Sequence, residues 1–107
     1  MDFPSTLKIG PFQYDVVFEH EPKSDHGKTL WGQCRYERHQ IAIESEAPDD
    51  RKIETLMHES LHAIAFEAAA VRLREREVKS LSLALTSFLI ENPAFTRLFI
   101  KDDSDGK

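Results

Sequence analysis

Between Asp49 and Asn92 the chain holds neither glycine nor proline, whereas Gly10, Gly27, Gly32 and three of its five prolines fall before residue 45. These two residue types punctuate turns, so the distribution predicts a strand-rich front half and a helix-rich back half. Pro48 followed by Asp49 and Asp50 marks a helix start, because proline is preorganised for a first turn and carboxylates favour the positive end of the helix dipole. One helix from there to Asn92 would run roughly 65 Å at 1.5 Å per residue, too long for a compact domain of this size. Compactness therefore demands a break, best placed in "AAAVRLRER" at residues 68–76. A second helix then runs from about Glu75 to Glu91 and stops at Asn92-Pro93. "AFTRLFI" adds a short apolar helix, and "KDDSDGK" (101–107) reads as a frayed acidic tail.

In the front half, "TLKI" and "FQYDVVFEH" flank Gly10-Pro11, which predicts a hairpin of residues 6–9 and 12–20. "LWGQCRY" and "QIAIE" are two further strands. The alternation of Ile41 and Ile43 against Ala42 and Glu44 suggests that the last strand buries one face. Short connections favour a mostly antiparallel sheet of three or four strands. The expected class is α+β, one domain over residues 1–100.

Net charge is −5, which argues against a general nucleic-acid-binding surface. The start "MDFPSTLKIG" lacks the basic and apolar regions of a secretion signal, and the lone Cys34 allows no internal disulfide. Both suit a cytoplasmic location. Cys34 has a second reading, as a reactive or ligand thiol.

The chemistry is concentrated in "TLMHESLHAIAF" (55–66). Ile53, Met57, Leu61, Ile64 and Ala68 form an apolar stripe at helical spacing, with His58 and His62 together at its edge. Side chains four apart on a helix point the same way, so two imidazoles can reach one metal ion at about 2.0–2.1 Å. A glutamate directly after the first histidine projects beside the ion, where it can take a proton from an activated water. This is the HExxH arrangement, standing here as His58-Glu59-Ser60-Leu61-His62.

Catalytic zinc takes three protein ligands, and no histidine follows His62. The downstream carboxylates are Glu67, Glu75, Glu77 and Glu91. Glu67 lies on another side of the first helix, and Glu91 at the far end of the second. Val78, Leu81, Leu85, Phe88 and Leu89 define the inward stripe of that second helix. Glu77 lies nearer its centre and is the preferred third ligand, with Glu75 next. Alternatively both glutamates pair with Arg72, Arg74 or Arg76 on the surface.

Residues 31–93 resemble the ImmA/IrrE-like family of gluzincin-type metallopeptidases, in its short phage- and prophage-encoded forms. The resemblance is carried by a small sheet ending in "QIAIE", then "TLMHESLHAI", then "EREVKSLSLAL". It implies a minimal zincin-like fold, with zinc on His58, His62 and Glu77 and with Glu59 as general base. It also implies a protein or peptide substrate, by analogy a helix-turn-helix repressor, cleaved in the bacterial host cytoplasm. An extended substrate would lie along "QIAIE" as an edge strand. Tyr36 and His39 are candidate donors to the developing oxyanion. His20 and His26 have no partner and are assigned to the surface. A competing reading is a non-catalytic, metal-stabilised protein-interaction module. It is suggested by Leu73, Leu83 and Ile90, which sit away from the inward stripe.

Overall fold

The computed structural model describes residues 1–69 and 71–101; residues 102–107 of the expected acidic tail lie outside them. The architecture is α+β: a four-stranded mixed sheet, two long helices and a short one. Strands β1 (Thr6–Ile9) and β2 (Phe12–Glu19) form the expected antiparallel hairpin. Gly10 closes its turn with φ +58°, a left-handed conformation that glycine adopts without strain. Strands β3 (Gly32–Arg35) and β4 (Gln40–Glu44) are also antiparallel, joined by a 3₁₀ turn at Tyr36–Arg38 and by His39 at φ +51°.

The sheet order is β1-β2-β4-β3, and β2 pairs with β4 in parallel. "QIAIE" is therefore an interior strand, not the edge expected from the sequence. Chain segment 20–39 includes β3, which gives it the length to return β4 alongside β2. An interior strand is covered on both faces, and Ile41, Ala42 and Ile43 are all fully buried. On the back of the sheet Arg35 donates two hydrogen bonds to Glu19, at 2.7 and 2.8 Å, joining β3 to β2 across β4. The front carries the core, where Ile9, Tyr14, Val16, Ile41 and Ile43 pack with Ala63 of the first helix.

Helix α1 (Asp49–Ile64) begins after Pro48, which is extended at its N-cap. It continues into a single π-helical turn, Ala65–Ala69, and residues 71–74 are non-helical, within the expected break. Helix α2 (Glu75–Glu91) and helix α3 (Pro93–Arg97) follow. Among the described residues no helix is long and apolar enough to cross a membrane.

The most buried line of α1 is Thr55, Glu59 and Ala63. This differs from the expected stripe, in which Ile64 is exposed. Small side chains win this line because α1 lies directly on β3. A Cβ added to Gly32 would come within 2.4 Å of Thr55 Cγ2 and 3.3 Å of Glu59 Cγ. Gly32→Ala should push α1 off β3 and cost about 1–3 kcal/mol; urea denaturation checks it, and an unchanged midpoint would contradict this packing.

Glu44 ends β4 and accepts 2.7 Å hydrogen bonds from the backbone N–H groups of Glu46 and Glu21. Those donors hold its carboxyl below the ordinary 4.5. A depressed carboxyl stabilises the fold above its unfolded pKa, and that stabilisation is lost as pH falls through the folded one. Glu44→Gln should therefore lower the melting temperature at neutral pH and flatten its decline in acid. Melting curves across the acid range measure this, and an acid limb identical to wild type would refute it.

Candidate metal centre

His58 and His62 lie one turn apart on α1, with ring centroids 5.1 Å apart and both side chains largely buried. The non-helical residues 71–74 turn the chain so that α2 starts beside them. Its first residue, Glu75, sets one carboxylate oxygen 2.9 Å from Nε2 of His58 and the other 2.8 Å from Nε2 of His62. One ligand atom from each of these three residues lies within 4.8 Å of the others. Two imidazole nitrogens and a carboxylate oxygen are the donor types that catalytic zinc takes, so the residues fit the ion that the motif implies.

Glu77, preferred from the sequence, is not at this cluster. Its carboxylate accepts the backbone N–H of Arg74 at 2.8 Å and caps the start of α2. Helical phase favoured Glu77, but the entry of the chain into the helix faces Glu75 toward the histidines. Glu67 is also elsewhere, on the side of the helical turn that meets β2. There it accepts a 2.6 Å hydrogen bond from the fully buried Tyr14 hydroxyl. Glu91 sits exposed at the far end of α2.

Glu59 is only 8% exposed. Burial, then the negative charges of Glu75 and Glu54, push its carboxyl up to about 8. A cation on the histidines would counter this by favouring the ionised form. Glu59 opens on a cleft of about 500 Å³ that it shares with His58, Glu75, Trp31 and Gly32. A second cleft of about 390 Å³ lies on the His62 side, against Tyr36, Phe66 and Leu73. Strand β3, at the sheet edge, starts at the first cleft with Gly32, and Tyr36, which follows the strand, lines the second.

The candidate oxyanion donors separate. Tyr36 lines the second cleft with its ring 4.6 Å from Phe66, and burial raises its hydroxyl pKa, which keeps it a proton donor. His39 is turned away, its ring 4.5 Å from Phe12 and its Nε2 3.8 Å from Glu67. Burial, then the charge of Glu59, push the Cys34 thiol up to about 12, and Cys34 is not one of the residues grouped with His58 and His62. His20 and His26 are exposed, as expected.

The sequence reading did not foresee the Tyr14–Glu67 link or the seating of Glu59 under Gly32. The second had a signal: a glycine inside a strand pattern marks a close backbone approach. Searches with family models, among curated proteins and among solved structures each found no match to this chain.

Tyr14→Phe should leave the Glu67 carboxylate without its donor and destabilise the fold by about 1–3 kcal/mol. Chemical denaturation measures the loss, and a variant as stable as wild type would show that the hydrogen bond holds nothing.

Proposed function

We propose that this chain is a zinc-dependent metallo-endopeptidase of the short ImmA/IrrE-like kind, with His58, His62 and Glu75 as ligands and Glu59 as general base. The observation that carries the reading is the Glu75 carboxylate, one oxygen on each Nε2 of the HExxH pair. Zinc, when bound, supplies Lewis acidity that lowers the pKa of a water and polarises a carbonyl.

The chain's own residues do the rest. Glu59 accepts a proton from the attacking water on its carboxylate and passes it to the leaving amine. It faces the cleft that it shares with His58 and Glu75. Tyr36 donates its hydroxyl proton in a hydrogen bond to the developing oxyanion. An extended substrate segment adds to the free edge of β3, where the β3–β4 register leaves the backbone groups of Gly32 and Cys34 pointing outward. That path crosses both clefts and brings a peptide bond over the histidines. The family resemblance makes a helix-turn-helix repressor the first substrate to assay.

The competing interaction-module reading gives no role to a buried glutamate beside two imidazoles. Turnover assays separate the two, and zinc titration tests the ligand set. Wild type should bind about one zinc per chain, and Glu75→Ala should bind it on the order of 100-fold more weakly. Glu77→Ala should keep zinc affinity while losing about 1 kcal/mol of helix capping. Glu59→Gln should retain zinc and lose roughly 10²–10⁴ in turnover. Zinc lost in Glu77→Ala but kept in Glu75→Ala would overturn the ligand set, and full turnover by Glu59→Gln would overturn the mechanism.

A further inference from the structure

The cleft of about 500 Å³ at Glu59 extends from the metal centre along both long helices. Glu75, Lys79 and Leu83 are four apart on α2, so all three face it. On α1 its wall runs back from His58 to Arg51. The segment from Lys28 to Gly32 closes the other side. Hydrogen bonds fix that segment. The backbone N–H of Lys28 donates to the Ser24 hydroxyl at 3.1 Å, that of Leu30 to the Pro22 carbonyl at 2.8 Å, and that of Glu44 to the Trp31 carbonyl at 2.8 Å.

Three exposed cations, Lys28, Arg51 and Lys79, stand round the part of the cleft away from the histidines. The Arg51 guanidinium lies over the Trp31 ring, 4.8 Å from its centroid, a cation–π contact that orients it. Among the described residues lysine and arginine form ion pairs at Lys23–Glu21, Arg35–Glu19 and Arg51–Glu54, so the Lys28 and Lys79 ammonium groups have no carboxylate partner there. The carboxylates of the cleft are taken or buried. Glu75 is held by the two imidazoles, Glu54 accepts the Ser82 hydroxyl at 3.1 Å, and Glu59 is buried. A chain of net charge −5 repels acidic partners over its surface at large, and this cleft offers them cations.

We propose that the cleft selects an acidic substrate segment, with an Asp or Glu side chain bound by Lys28, Arg51 and Lys79 two or three residues after the bond to be cleaved. The inference rests on the peptidase reading above. Direction follows from β3. A segment added to its free edge pairs more stably antiparallel, and β3 starts with Gly32 at this cleft and ends before Tyr36 at the other. The antiparallel segment enters past Tyr36, so its residues C-terminal to the scissile bond reach the cations. Length sets the position. Lys79 lies about 6 Å beyond Glu75 along α2, and Arg51 about 10 Å before His58 along α1, at 1.5 Å per residue. An extended peptide advances about 3.3 Å per residue, which sets its second and third residues opposite the cations. A nucleic-acid surface neutralises more phosphates than three cations can.

Trp31 is the only tryptophan and is 52% exposed, so its fluorescence reads the cleft directly. The probes are peptides blocked at both ends that carry Glu-Glu, Gln-Gln or Lys-Lys after a central apolar pair. They are titrated into the metal-free chain and into zinc-loaded Glu59→Gln, so that binding is read without turnover. In both, Glu-Glu should bind roughly tenfold more tightly than Gln-Gln, the sum of two or three exposed charge pairs, and lose the advantage at high salt. Lys28→Glu combined with Lys79→Glu should reverse the order in favour of Lys-Lys. Equal affinity for the three peptides overturns the inference, as does a preference for Glu-Glu that survives the charge reversal. So does a Trp31 response to a single-stranded oligonucleotide with none to Glu-Glu. The two readings fail separately. Zinc binding and cleavage with no preference for Glu-Glu contradict only the present inference, whereas that preference without zinc or cleavage contradicts only the peptidase reading.

Discussion

The Glu75 carboxylate spans two imidazoles, and that bridge ties the start of α2 to the last turns of α1. The position is favourable at both ends. His62 lies in the last turn of α1, where the helix dipole attracts positive charge, and Glu75 lies in the first turn of α2, where the dipole attracts negative charge. The same three donors that hydrogen-bond one another are the set that a single cation would draw together. The proposed chemistry is a substitution within an existing contact, not the assembly of a new one.

Behind the bridge, the close approach of α1 to β3 positions Glu59, the proposed general base. Gly32 allows the helix to lie on the strand, and the line in contact is Thr55, Glu59 and Ala63. A larger apolar line would pack more core, which a domain this small needs. Keeping a carboxyl there costs stability, and its raised pKa records the cost. Tyr14 and Glu67 fasten the other end of α1, where the π turn redirects the chain after His62. Such turns often lie beside functional sites. Here Glu67 is held by Tyr14, away from the histidines, and the third proposed ligand comes from α2.

Much of this was legible in the sequence because it is local. The absence of glycine and proline after Asp49, with Asn92-Pro93 as a stop, placed α2 at Glu75–Glu91, and Gly10-Pro11 placed the first hairpin. The pairing of His58 with His62 follows from helix geometry alone. What could not be read depends on contacts between elements. The choice of Glu75 over Glu77 is made by four non-helical residues whose path no periodicity encodes. The interior position of β4 follows from a parallel pairing between residues far apart in sequence. His39 needed the turn geometry that folds it against Phe12 and Tyr14, away from the site.

The proposal that His58, His62 and Glu75 hold one zinc ion is tested most directly by the zinc-edge X-ray absorption spectrum of the metal-loaded chain. Two imidazole nitrogens and carboxylate oxygen at about 2.0–2.1 Å, with no sulfur shell, are expected. A sulfur scatterer near 2.3 Å, or a spectrum of fully hydrated zinc without imidazole scattering, would contradict it.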